Sequence, residues 1–82
     1  MTRDEAKAAI TGKLIEVYGF QEGLSVAGVC AEPILNDFEH MLAKALPGQT
    51  VSEEYKTEDR RAEIRISGTG GRNARILSVE LI

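Results

Sequence analysis

The hydrophobic pattern changes period at Pro47-Gly48, and no other feature constrains the fold as tightly. Before that point apolar residues recur every three or four positions, as on one face of a helix. After it they alternate, as on a strand with one buried side. A chain that reads as helix and then as strand belongs to the α+β class, with helices gathered against an antiparallel sheet. The 82 residues leave room for one small domain, 1–82, and not for a second.

Residues 2–18 read as a helix because Ala6, Ile10, Leu14, Val17 and Tyr18 fall on one stripe. Thr2 and Glu5 have the spacing of a capping box, Asp4 and Glu5 suit the positive end of the helix dipole, and Gly19 is a natural stop. Gly12 costs such a helix about 1 kcal/mol relative to Ala, and reads either as a close backbone contact or as a tolerated weakness. Residues 20–31 mix glycine with small and apolar residues. They read as a loop, with at most one helical turn after Ser25, and with Leu24, Val26 and Val29 tucked inward. A second helix is expected over 32–46, with Pro33 at its first position, where a missing N–H does no harm. Its stripe is Leu35, Phe38, Leu42 and Ala45, opposite Asn36, Asp37, His40 and Lys44.

Past Pro47-Gly48, Val51 and Tyr55 alternate with Ser52, Glu54 and Lys56. Glu58-Asp59 marks a turn. Ala62, Ile64 and Ile66 then alternate with Arg61, Glu63 and Arg65, the pattern of a half-buried strand with a charged outer face. Ser67 to Asn73 is rich in turn residues and reads as a flexible connection. Residues 74–82 form the last strand, with Leu77, Val79 and Leu81 on one face and Ile76 and Ile82 on the other. The expected architecture is two helices packed on one face of a three-stranded antiparallel β-meander, order ααβββ. The last strand is then an edge that is apolar on both faces. Such an edge invites pairing, so a homodimer through strand 74–82 is expected.

Few constellations point to chemistry. Gly68-Thr69-Gly70-Gly71-Arg72-Asn73-Ala74 resembles a phosphate-cradling loop only superficially, because no helix follows to supply the N-terminal N–H groups and the loop holds no lysine. His40 has Asp37 as its only nearby co-ligand, so no metal and no cofactor are expected. Cys30 lies in an apolar stretch without an orienting third group, and reads as a small buried thiol rather than a nucleophile. Glu53 and Glu54 point to opposite sheet faces and cannot share one substrate bond. The reading is therefore of a protein that is not an enzyme.

The charge pattern is more informative. The net charge is −3, which argues against a general grip on nucleic acid. Yet residues 60–75 hold five arginines against the single acid Glu63, while residues 1–46 hold seven acids against four basic side chains. Arginine's planar fork suits carboxylate or phosphate. Arg61, Arg65, Arg72 and Arg75 are therefore the expected partner-binding residues, with Arg61 and Arg65 on one strand face. The partner is expected to be a protein or a second copy of the chain. Three arguments rank a nucleic-acid-binding hairpin lower: no aromatic residue lies among the arginines to stack on bases, Glu53, Glu54, Glu58 and Asp59 stand ready to pair with them, and the chain is acidic. An acidic inhibitor of nucleic-acid machinery, acting through Glu32, Asp37 and Glu39, is a further reading.

A helical 23–31 would give a winged-helix-like order, but its recognition helix would carry the wrong charge for a DNA groove. No apolar run is long enough to span a membrane, and no apolar leader core follows Met1. One cysteine allows no intrachain disulfide, which fits a reducing compartment, and the expected location is cytoplasmic.

Overall fold

Helix α1 spans Arg3–Tyr18 and starts at the predicted capping box. The Thr2 hydroxyl accepts from the Glu5 N–H at 3.1 Å, and the Glu5 carboxylate accepts from the Thr2 N–H at 2.7 Å. These reciprocal bonds satisfy donors that the first turn leaves without partners. Ala6, Ile10 and Leu14 are fully buried along one stripe. Gly19, with φ +87°, ends the helix. The structure, a computed structural model, describes all 82 residues.

The next element departs from the sequence reading. Helix α2 spans Phe20–Lys44 without a break, so the expected loop at 20–31 is helical and Pro33 lies inside the helix rather than at its start. Two observations account for this. Gly23, Ala27 and Ala31 are buried and small, which lets α2 lie close against α1. A Cβ at Gly23 would stand 2.6 Å from the Ile15 Cα, so only glycine permits this approach. Pro33, in turn, is exposed, and so is Val29, whose carbonyl its missing N–H would have served. Burial along α1 thus outweighs the weak helix propensity of a Gly- and Val-containing segment. With one continuous helix here, the winged-helix-like order does not arise. Arg3 locks the two helices at the far end, pairing with Glu32 at 2.5 Å and with Glu39, and donating to Asn36 at 2.9 Å. Gly12 is exposed and meets nothing, so it is a tolerated weakness rather than a contact.

Three strands follow: β1 Thr50–Lys56, β2 Glu63–Thr69 and β3 Arg75–Leu81. They form an antiparallel sheet in the order β1-β2-β3. The fold is α+β with the predicted ααβββ order. Both helices lie on one face, α1 against β3 and α2 against β1 and β2. Phe38, Ile10, Leu14, Leu35, Ile64 and Ile66 fill the space between the layers.

The register corrects the reading of β3. Ser67 pairs with Ser78, but Gly68 pairs with Ile76, so Leu77 is an extra residue at a β-bulge. The bulge resets the alternation. Ile76 joins Val79 on the buried face, whereas Leu77 is exposed. The strand is therefore not apolar on both faces, since its outward residues include Ser78 and Glu80. The glycine-rich loop is also shorter than expected. β2 runs on to Thr69, and Gly68 is buried beneath Phe38 and Leu42.

Candidate functional site

The four arginines singled out by the sequence do not converge. Arg61 lies in the β1–β2 turn, not on β2. Its guanidinium stands 4.5 Å from the centroid of the Tyr18 ring and pairs with Glu22 at 3.1 Å. Both partners belong to the helical layer, so Arg61 does not share a strand face with Arg65. Arg65 sits on the open face of the sheet and holds Glu54 across the β1–β2 pair at 2.7 Å. Arg72 and Arg75 lie at the other end of β2, about 20 Å from Arg61 by the rise of a seven-residue strand. Neither forms an ion pair, and both are exposed.

These two arginines border a cleft of about 640 Å³ between the β2–β3 loop and the α2–β1 loop. Pro47, Gly48, Thr69, Gly70 and Asn73 complete its wall, and no acidic residue lines it. The two loops are fastened together. The Gly48 N–H donates to the Gly70 carbonyl at 3.2 Å, and the Gly70 N–H donates to the Gln49 carbonyl at 3.0 Å. Gly70 is buried, and a Cβ there would meet the Ala45 Cβ at 2.4 Å. Gly71 has φ +98°, and a Cβ there would stand 2.6 Å from the Pro47 Cα. The glycines therefore let one loop pack on the other, instead of making a flexible connection. The N–H groups of Gly71, Arg72 and Asn73 donate to no acceptor in the protein.

A second cleft, of about 400 Å³, opens at the opposite end of the molecule. Val26, Val29, Cys30 and Tyr18 form its apolar wall, and Thr57 and Asp59 its polar rim. The rim is a closed hydrogen-bond network. The Tyr18 hydroxyl donates to Asp59 and lies 2.7 Å from the Thr57 hydroxyl. Asp59 also accepts from the Arg61 N–H at 3.0 Å, and Thr57 accepts from the Ala62 N–H at 3.2 Å. The Tyr18 bond and the Arg61 N–H hold the Asp59 carboxyl below the usual carboxylate range. Burial and the Asp59 bond push the Tyr18 phenol up. Tyr18, Thr57 and Asp59 are thus occupied in fastening the turn to α1. Cys30 is half-buried, and burial raises its thiol pKa, which keeps it protonated and weakly nucleophilic.

No three His, Cys, Asp or Glu side chains converge in a way that could hold a metal ion. His40 is exposed, and its helical neighbour Asp37 accepts from the Tyr55 hydroxyl at 2.6 Å instead. No helix is long and apolar enough to cross a membrane. The sequence reading missed the separation of the arginines, because Glu22 lies 39 positions from Arg61. No protein-family model, curated protein or solved structure matches the chain.

Proposed function

We propose that the chain is a small, non-catalytic interaction protein that captures an acidic protein partner with the loop end of its sheet. The observation that supports this is the difference between the two pairs of arginines. Arg61 and Arg65 are neutralised by Glu22 and Glu54, whereas Arg72 and Arg75 are exposed, unpaired and line the same cleft. An arginine fork without an internal acid is available for an external one. The partner-binding residues thus narrow to Arg72 and Arg75. The single, partnerless cysteine is in keeping with work in a reducing compartment such as the cytoplasm.

Self-association through β3 has weaker support. Its free edge carries the exposed Leu77 and Ile82, but the bulge at Leu77 interrupts the ladder that a second copy would extend. Light scattering decides it, since a monomer has a mass of 8.9 kDa and a dimer twice that.

The functional test is capture of proteins from an extract of the native source on immobilised chain. The variants are R72E/R75E and, at the opposite end, R60E. Circular dichroism confirms folding of each. The reading requires that R72E/R75E lose the captured protein and that R60E retain it. Undiminished capture by folded R72E/R75E overturns it. Recovery of nucleic acid in place of protein, lost steeply as salt rises, transfers the assignment to the nucleic-acid alternative.

A further inference from the structure

We infer that the cleft between the β2–β3 and α2–β1 loops is a binding site for a single phosphate group carried by the partner, a phosphorylated side chain of a protein. This rests on the proposed partner-capturing role and names the chemistry that the site recognises. Four features carry it.

The first is donor supply. Arg72 and Arg75 each present five N–H donors in a fixed fork, with the Asn73 amide and the Thr69 hydroxyl on the same wall. The backbone N–H groups of Arg72 and Asn73, two of the residues that line the cleft, also have no acceptor in the protein. These donors are more than a carboxylate's roughly four lone-pair sites accept, and they suit the three strong acceptor oxygens of a phosphate monoester.

The second is the absence of competition. No acidic side chain lines the cleft, and neither arginine has an internal partner. The third is preorganisation. Gly70 and Gly71 pack directly on Ala45 and Pro47, and two backbone bonds clamp the loops, so the backbone that carries the arginines is seated before a ligand arrives. The fourth is scale. Two guanidinium groups match one dianion, whereas a nucleic-acid backbone needs a track of cations, and this chain has a net charge of −3.

The test is an amide chemical-shift titration of the full chain with three probes at matched ionic strength. The probes are a phosphoserine peptide, its unphosphorylated counterpart with Glu at that position, and a single-stranded oligonucleotide. The expected result is saturable shifts confined to residues 69–75 and Gly48 with the phosphopeptide. Affinity falls at least tenfold for the Glu peptide and at least tenfold in R72Q/R75Q. Equal affinity for the Glu peptide, shifts centred elsewhere, or saturation by the oligonucleotide alone each overturns the inference. Failure here is distinguishable from failure of the broader role. If extract capture depends on Arg72 and Arg75 while the phosphopeptide does not bind, the role stands and the phosphate chemistry falls. If the phosphopeptide binds but capture is unchanged in R72E/R75E, the site stands and the role falls.

Discussion

Gly70 lies against Ala45 so closely that a Cβ on Gly70 would stand 2.4 Å from the Ala45 Cβ. Ala45 closes α2 and Gly70 opens the β2–β3 loop, so this one contact seats the loop bearing Arg72 on the end of the helix. Gly70→Ala forces the two loops apart. The expected loss is about 1–3 kcal/mol, typical of overpacking a buried site. Urea unfolding reads it, and an unchanged midpoint would show that the loops are not clamped there.

Pro33 has the opposite expectation. It sits inside α2, on an exposed position, and withholds one helical hydrogen bond. Proline in a helix interior costs about 3 kcal/mol relative to alanine, part of which it returns by stiffening the unfolded chain. Pro33→Ala therefore raises stability by about 1–3 kcal/mol. Thermal unfolding checks it, and a destabilised variant would mean that the helix does not run through residue 33.

Asp59 gives a pH dependence of definite sign. Its folded pKa is lowered, first by the Tyr18 hydroxyl and then by the Arg61 N–H. A carboxylate with a depressed folded pKa contributes stability above its unfolded value, about 3.9, and loses that contribution as pH falls through the folded value. Wild type and Asp59→Asn therefore differ in stability at neutral pH and converge as pH drops below about 4. A gap that stays constant with pH would show that the charge on Asp59 plays no part in holding the turn.

The two tyrosines supply a spectroscopic check. Burial, followed by the bonds to Asp59 and Asp37, raises the phenol pKa of both Tyr18 and Tyr55. Raised folded values contribute stability below the ordinary pKa of about 10, and that contribution is lost as pH rises through the folded values. With no tryptophan to interfere, phenolate absorbance reports both groups. The folded chain is expected to show less phenolate at pH 10 than the unfolded chain. Ordinary titration of both phenols in the folded chain would contradict the two hydrogen bonds.

Much of the candidate site was legible as composition and little of it as geometry. The concentration of arginine in residues 60–75 is visible along the chain, as is the turn chemistry around Gly70 and Gly71. What each arginine meets is not. Arg65 finds Glu54 through strand pairing, which alternation foreshadows. Arg61 finds Glu22 and Tyr18 through the packing of a turn on two helices, which no local pattern encodes. The free N–H groups of the loop likewise emerge only from an accounting of every backbone bond.

The sequence by itself determined the class of fold and much of its local wording. Period fixes which residues face inward in α1, in the second half of α2 and in β2, because side-chain direction follows backbone geometry residue by residue. The capping box at Thr2 and Glu5 is equally local, since both bonds close within three positions. Tertiary structure decided the rest. Residues 20–31 are helical because α1 supplies a surface for Gly23, Ala27 and Ala31 to bury against, and that gain outweighs poor intrinsic propensity. Ile76 faces the core because the pairing of Gly68 inserts a bulge at Leu77, an event that alternation within one strand cannot announce. Arg72 and Arg75 remain free, while Arg61 and Arg65 do not, because charge pairing depends on distance in space and the acids that satisfy an arginine come from other elements of the fold.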